Sequence, residues 1–260
     1  AIIDEGKKYG LDPYIAPGDE VGAHPETIDG AKYYYALVKK NFPQTKTVLT
    51  VGGGWSMGVN EEEYFKGIVD IWSTNRWLPE KINIVKKFPG STYGIYNMGT
   101  TGLGTNSPPI VDRVVFGFLG WKTESTDISM WVYAFGNLLN FAFTQDSGIA
   151  GGYVFPTENY SKEGPVPTIY WEAVREGVKD LKYLKTLERL IKEAEKKQVA
   201  SAEVAKAKEV LKNMKDQIKE SPRSYDVMEG SKANTLAPAA YDKWRWNIAE
   251  LIIKIQEKMK

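Results

Sequence analysis

The sequence predicts an α/β protein that contains part of a (β/α)8 TIM-barrel-like domain, followed by a helical extension. Three observations predict this class. Short β-branched or aromatic runs alternate with helical stretches up to Phe155, which favours parallel pairing in a sheet or barrel. Only about five or six such runs are present, fewer than the eight strands of a complete barrel. From Tyr170 onward, apolar residues recur every three or four positions, as in long amphipathic helices.

The predicted strands are short and end mostly at Gly, Ser or Asn, which are typical turn residues. They cover residues 13–16, 47–51, 67–72, 93–98 and 128–135, with a further strand around 153–155. The predicted helices between them cover residues 27–41, 78–88 and 112–121. This count predicts that only the C-terminal portion of the barrel is present.

The N-terminus has no initiator Met, and its first residues are typical of the last turns of a helix that ends at Gly10. We therefore expect a fragment of a longer protein. A barrel cut partway has an exposed edge strand, so we expect the missing N-terminal portion of the same protein, or another chain, to pair there. Residues 1–176 are predicted to be the barrel portion and residues 177–260 the helical extension.

The helical extension is predicted as a hairpin followed by a returning helix. Apolar residues continue at helical spacing from Tyr170 to Ile191, and the chain then breaks before Ser201, a predicted N-cap. A third helix is expected after Pro238. We interpret this three-helix extension as a packing or interaction module without chemistry.

Composition excludes several functional classes. The 260 residues are 42% hydrophobic and carry 34 basic against 33 acidic residues, so a sizeable core is expected and nucleic acid is not favoured as a partner. No run approaches the roughly 18 apolar residues of a membrane span. Cysteine is absent and histidine occurs once, so thiolate metal sites are excluded and a histidine-rich metal centre is not expected. We expect no cofactor and no metal.

The adjacent carboxylates Asp19 and Glu20 are the strongest candidates for chemistry. They follow the first predicted strand and come directly after Pro17-Gly18. Neighbouring side chains of a strand point to opposite faces, so both acids can reach one ligand only if the chain turns there, and Pro-Gly supplies a turn. Barrel enzymes place their active sites at such strand ends. The alternative is a solvated acidic turn.

Aromatic residues lie near the ends of several predicted strands. They are Trp55, Trp72, Tyr96, Trp121, Trp131 and Tyr133. The C–H face of a pyranose packs on an aromatic ring while its hydroxyls bind carboxylates and amides, so this set is typical of a saccharide site. A single Trp is more often a core residue than part of a sugar subsite, so the set carries more weight than any one member.

Four segments resemble glycoside hydrolase family 123 and the wider set of domains that share its catalytic barrel. They are residues 14–21, 69–72, 112–121 and, above all, 170–181, which reads Tyr-Trp-Glu-Ala-Val-Arg-Glu-Gly-Val-Lys-Asp-Leu. The resemblance implies a retaining N-acetyl-β-galactosaminidase or related enzyme acting on N-acetylhexosaminides. It also implies that a β-sandwich region precedes the barrel. A glycan is then the expected ligand, and an extracellular or cell-surface location is favoured.

The resemblance also implies roles for individual residues. Glu20 is the general acid that protonates the leaving oxygen and later activates water, and Asp19 orients the substrate's own acetamido group, which acts as the nucleophile. By position, the sugar-platform candidates are Trp72, Trp121, Trp131 and Tyr133. Asp70 and Tyr96 are the candidate polar contacts.

The loop after the acidic pair departs from the family pattern. The family commonly has proline after Asp-Glu, whereas this chain has Val21, and the following residues 22–25 also differ. An alternative is therefore a non-catalytic carbohydrate-binding or structural barrel module in a large cell-surface or secreted assembly. A transferase acting on the same sugars is a third possibility. The enzyme requires both carboxylates to face a sugar-sized, aromatic-lined pocket, free of structural salt bridges.

Overall fold

The computed structural model describes residues 2–10, 14–21, 24–51, 61–74, 83, 85–96, 108–129, 154–155, 164, 166–219 and 234–260. The chain divides into two compact units. The sheet unit comprises residues 1–96 and 125–129, and the helix unit comprises residues 97–124 and 130–260. The division predicted from sequence, between residues 176 and 177, is a different one and stays a prediction.

The sheet unit contains five parallel strands whose order in space equals their order in the chain. They are β1 (Tyr14–Ile15), β2 (Lys46–Thr50), β3 (Ile71–Thr74), β4 (Thr92–Tyr96) and β5 (Asp127–Ser129). Among the described residues of this unit, three α-helices accompany the strands: α1 (Ile2–Lys8), α2 (Ile28–Asn41) and α3 (Glu61–Tyr64). The mixed α/β class and the parallel sheet are confirmed, and the sheet is compatible with part of a barrel.

The sheet is curled, so its two edge strands approach each other on one face. Tyr14 lies on β1 and Asp127 on β5, at opposite edges. Burial raises the pKa of the Tyr14 phenol, and the negative charge of Asp127 raises it further. This electrostatic effect between residues of the two edge strands agrees with a curled sheet. The face between them is the inner face of the half-barrel.

The hydrophobic core of the sheet unit lies on the outer face, beneath α2. Leu49 of β2 is in register with Trp72 of β3, and both are fully buried. They belong to one cluster with Tyr35 of α2 and with Phe65, whose ring meets Trp72 edge to face at a centroid distance of 6.4 Å. Because side chains alternate along a strand, Thr50 and Ser73 point to the inner face.

Two predicted strands differ from the structure. The strand predicted over residues 67–72 begins only at Ile71, because Gly67 has a φ of +77° and belongs to a turn. The strand predicted around residues 153–155 is β6 (Val154–Phe155), which pairs antiparallel with β7 (Val166–Pro167) rather than joining the parallel sheet. Residues 130–135 and most of the helix predicted over 78–88 lie outside the described residues.

The helix unit contains one interrupted helix and three long ones. The first consists of α4 (Ile110–Val114), a π-helical segment (Val115–Leu119) and α5 (Gly120–Thr123). The long helices are α6 (Ile169–Lys197), α7 (Ser201–Gln217) and α8 (Pro238–Met259), and each contacts the other two. None of the helices in the described part of the chain is long and apolar enough to span a membrane.

Two glycines let α6 pack directly against the π-helical segment. A Cβ at Gly117 would lie 2.7 Å from the carbonyl oxygen of Gly177, and a Cβ at Gly177 would lie 2.5 Å from the carbonyl oxygen of Arg113. Real Cβ atoms do not approach backbone this closely, so both positions require glycine. The glycine in the Trp-Glu-Ala-Val-Arg-Glu-Gly segment is therefore explained by helix packing.

A buried ion cluster lies next to this crossing. Asp180 of α6 is 1% exposed and accepts hydrogen bonds from Arg113 Nε at 2.7 Å and from Arg245 Nε at 2.6 Å. Arg245 also binds Glu176 at 2.5 Å, and Arg113 binds Asp242 at 2.7 Å. A buried carboxylate is tolerated only when its charge is paired, as it is here by two guanidinium groups. The cluster thus joins α4, α6 and α8.

Candidate functional site

Asp19 and Glu20 lie in a turn that follows β1 by three residues. Glu20 has a φ of 45°, in the left-handed region that residues other than Gly, Asn and Asp rarely adopt. The chain therefore does not continue as a strand, and the two neighbouring side chains are not forced to opposite faces. The turn expected from Pro17-Gly18 is present, with its strained residue at one of the candidate acids.

The hydroxyl of Thr50 connects both acids to the sheet. Thr50 is the last residue of β2, the strand next to β1. Its Oγ1 donates a hydrogen bond to Asp19 Oδ1 at 2.8 Å and accepts one from the Glu20 backbone N–H at 3.0 Å. A single hydroxyl thus fixes the orientation of one carboxylate and the backbone of the other at the carboxyl end of β2.

Tyr96 fixes the Glu20 side chain. It is the last residue of β4, is buried, and donates its phenolic O–H to Glu20 Oε1 at 2.8 Å. Glu20 therefore reaches from the turn after β1 to the carboxyl end of β4. Among the described residues, Oε2 accepts no hydrogen bond, and no lysine or arginine pairs with either Asp19 or Glu20. Within the described part of the chain, the Glu20 carboxyl group is thus held through Oε1.

A cleft of about 460 Å³ borders Asp19. The turn after β1 and the first half of α2 form its walls, and it is lined by Pro17, Gly18, Asp19, Val21, His24, Glu26, Thr27, Gly30, Ala31 and Tyr34. Its volume falls in the range of small-molecule sites. Glu20 is not one of these lining residues: Asp19 borders the cleft, whereas the Glu20 side chain extends to Tyr96.

Two predicted ligand contacts lie elsewhere in the sheet unit. Asp70 directly precedes β3, at the opposite end of the strands from Glu20, and accepts hydrogen bonds from Lys39 Nζ at 2.5 Å and the Thr47 N–H at 2.7 Å. Trp72 is fully buried in the outer core. The structure therefore brings Tyr96, but neither Asp70 nor Trp72, to the acidic pair.

Trp121 belongs to the helix unit. It is buried, its indole N–H donates to Glu188 Oε1 at 2.7 Å, and Lys215 Nζ lies 4.7 Å from the centre of its ring. These contacts give it a structural role within that unit. Trp55, Trp131 and Tyr133 lie outside the described residues.

Sequence reasoning missed two residues on the inner face of the sheet, Thr50, which contacts the acidic pair, and Asp127. Thr50 could have been found from the sequence. The predicted strand 47–51 is the expected parallel neighbour of the first strand, so the carboxyl ends of both strands lie at the same edge of the sheet. Asp127 begins β5 and is in register with Gly94 of β4, which places it on the inner face. Burial raises the pKa of the Asp127 carboxyl group, while a hydrogen bond with Ser129 acts in the opposite direction.

No group of three His, Asp or Glu side chains within the described ranges is arranged to hold a metal ion. No family model matches this chain, and a search of curated proteins gave no match. Any function must therefore be argued from the arrangement of Asp19, Glu20, Thr50 and Tyr96.

Proposed function

We propose that this protein is a glycoside hydrolase-like, carbohydrate-active domain that cleaves N-acetylhexosaminides with retention, by the substrate-assisted route. The observation that carries the proposal is the Glu20 carboxyl group. It is held through one oxygen by Tyr96, at the carboxyl ends of parallel strands, with Asp19 as its sequence neighbour. Catalytic acids of parallel α/β barrels occupy this position.

In the first step, Glu20 donates its proton from Oε2 to the glycosidic oxygen as the bond from that oxygen to the anomeric carbon breaks. The carbonyl oxygen of the substrate's acetamido group attacks the same carbon and forms a cyclic oxazoline-type intermediate. Asp19 accepts a hydrogen bond from the acetamido N–H and so orients this nucleophile. Two inversions at one carbon give retention, and no protein nucleophile is needed.

In the second step, the Glu20 carboxylate takes a proton from water, whose oxygen adds to the anomeric carbon and reopens the ring. The phenolic O–H of Tyr96 favours the first step, in which Glu20 becomes ionised, because a hydrogen bond to an ionised carboxylate is stronger than one to a neutral group. Thr50 keeps Asp19 and the Glu20 backbone in a fixed relation in both steps.

We also propose that the sheet is part of a (β/α)8 barrel of the type that the resemblance to family 123 implies. The strand order supports this proposal, because a doubly wound sheet would reverse its order at a switch point and these five strands do not. The other strands would come from an N-terminal portion of the same protein or from another chain.

The test compares aryl 2-acetamido-2-deoxy-β-glycosides with the matching 2-hydroxy glycosides as substrates of the full-length protein. Substrate assistance requires the acetamido group, so we expect turnover of the first set only, with a β-configured first product by proton NMR. Equal rates on both sets would refute the assisted mechanism. Absence of turnover on every glycoside would refute hydrolysis.

A second candidate function is carbohydrate binding without turnover. It is favoured by one observation, that the cleft beside Asp19 is not lined by Glu20. This candidate predicts saturable binding of N-acetylhexosamines by calorimetry together with no detectable hydrolysis.

A further inference from the structure

Four strands contribute one residue each to a row across the inner face of the sheet. Thr50 is in register with Ser73, Ser73 with Gly94, and Gly94 with Asp127. Tyr96 follows Gly94 by two positions and so points to the same face, about 7 Å nearer the carboxyl ends of the strands. The row therefore lies directly below the hydrogen bond between Tyr96 and Glu20.

The Ser73 hydroxyl group has no partner among the residues that the structure describes. The residue is 0% exposed, and its Oγ makes no hydrogen bond with any described residue. A buried hydroxyl that loses its water without gaining a partner destabilises the folded protein, so such groups are normally satisfied by ordered water or by a ligand. The Ser73 hydroxyl group points to the inner face of the sheet, the same face as Tyr96, which binds Glu20.

The absence of a side chain at Gly94 leaves room for the Asp127 carboxylate. A Cβ at position 94 would lie 3.0 Å from Asp127 Cβ and 3.2 Å from its Oδ2. The carboxylate therefore leans over the bare backbone of β4, toward the side of the row that contains Ser73. Any larger residue at position 94 would push it away.

No lysine or arginine of the described ranges pairs with Asp127, although burial disfavours its charge and raises its pKa. The groups that act on it are Ser129, by a hydrogen bond, and Tyr14, which responds to its charge from β1. An ionised carboxylate only accepts hydrogen bonds, so the chemistry that suits it is a ligand with O–H donors. A pyranoside is such a ligand, and its other hydroxyls can accept from Ser73.

We propose that Asp127 and Ser73 form the floor of the sugar subsite, where the Asp127 carboxylate accepts a hydrogen bond from one ring hydroxyl and so determines substrate specificity. This inference rests on the proposed function. Asp19 and Glu20 act at the anomeric carbon, whereas Ser73 and Asp127 bind the other hydroxyl groups of the sugar ring.

The test is a set of substrate-by-variant cycles on the full-length protein. The substrates are an aryl N-acetylhexosaminide and its analogues that each lack one ring hydroxyl. The variants are Asp127→Asn and Ser73→Ala, with Asp216→Asn on the exposed face of α7 as the control. Far-UV circular dichroism and thermal unfolding establish that each variant is folded, and Ser73→Ala keeps the test informative if Asp127→Asn does not fold.

We expect the wild type to lose about 10- to 100-fold in kcat/KM on one deoxy analogue, as for a hydrogen bond to a charged group. Asp127→Asn should lose a similar factor on the parent substrate and no longer discriminate against that analogue. A purely structural role for Asp127 would lower all rates equally. Ser73→Ala should raise KM several-fold, and Asp216→Asn should match the wild type.

The outcomes separate the two proposals. If the wild type hydrolyses the parent and Asp127→Asn keeps both its rate and its discrimination, the inference about Asp127 is wrong while the function stands. If the wild type binds N-acetylhexosamine without turnover, the same comparison is made on Kd, with the same expected loss. If it neither binds nor hydrolyses, the proposed function is wrong and the subsite is overturned with it.

Discussion

Glu20 combines a candidate catalytic side chain with a backbone conformation that is unfavourable for it. Its φ of 45° costs an L-residue roughly 1 kcal/mol or more. The hydrogen bonds to Thr50 and Tyr96 offset that cost. Strain held by surrounding contacts is common where a side chain must be aimed at a ligand.

The strain predicts an unusual order of stability at this position. Glu20→Gly and Glu20→Ala both remove the side chain, and only glycine accepts the left-handed φ freely. We therefore expect Glu20→Gly to be more stable than Glu20→Ala by about 1 kcal/mol in urea unfolding. The control pair at Lys40, within α2, should show the reverse order by a similar amount. The same order at both positions would mean that Glu20 is not strained.

Thr50 gives a second prediction at this scale. Thr50→Val keeps the shape of the side chain but removes the hydroxyl shared by Asp19 and Glu20, so we expect kcat to fall about tenfold, as for one lost hydrogen bond. Thr50→Ser retains the hydroxyl and should restore most of the rate. If Val and Ser variants lose the same activity, the hydroxyl does not organise the acidic pair.

At the scale of elements, α6 and the π-helical segment depend on two glycines at their crossing. Gly117→Ala and Gly177→Ala each place a methyl group against backbone, so we expect each to destabilise the protein by about 1–3 kcal/mol. Gly30→Ala is the control. Gly30 lies in α2 with open space around it, and the change should stabilise by about 0.5–1 kcal/mol. Unchanged stability of both crossing variants would contradict this packing.

The ion cluster beside the crossing predicts a pH dependence. Hydrogen bonds from Lys179 and from Arg245 lower the pKa of Glu176 from 4.5 to about 2. Because the folded-state pKa is the lower one, the stabilisation is complete above about pH 4.5 and is lost as the pH falls toward 2.

Glu176→Gln should therefore cost about 1 kcal/mol at neutral pH, a figure reduced for solvent screening because about a third of the side chain is exposed. The difference from wild type should vanish near pH 2 in denaturant unfolding. Glu172→Gln, in an exposed pair with Arg175, is the control and should cost less than about 0.5 kcal/mol. A cost for Glu176→Gln that persists at pH 2 would contradict the assignment.

Local sequence predicts elements well where one signal dominates. The strands predicted over 47–51 and 93–98 appear as Lys46–Thr50 and Thr92–Tyr96, because β-branched and aromatic runs there have no competing signal. Pro238 begins α8, since proline suits a first helical turn. The prediction that a strand starts at Gly67 was wrong. The positive φ of this glycine depends on the turn in which it lies, which the local sequence does not specify.

The candidate site shows what local sequence cannot give. Asp19 and Glu20 are recognisable in the sequence as adjacent acids after a strand. Thr50 and Tyr96 come into contact with them only through strand pairing. Trp72 is an aromatic residue near a strand end, but the direction of its side chain depends on register, which places it in the outer core. Register over several strands is a long-range property.

At the scale of the whole molecule, the candidate site and the helix-packing features belong to different units. The sheet unit holds the acidic pair and the inner-face row, and the helix unit holds the glycine crossing and the ion cluster. The resemblance to family 123 rests on segments in both. In the sheet unit, the acidic pair contacts Thr50 and Tyr96. In the helix unit, Gly177 of the resembling segment allows two helices to pack closely.

We propose above that Glu20 is the general acid of a glycoside hydrolase. The most direct measurement is kcat/KM of the wild type and Glu20→Gln on two aryl N-acetylhexosaminides, one with a poor and one with a good leaving group. We expect Glu20→Gln to lose about 10²- to 10⁴-fold on the poor leaving group and much less on the good one, which departs without protonation. Equal rates for the two proteins on the poor leaving group would contradict the account.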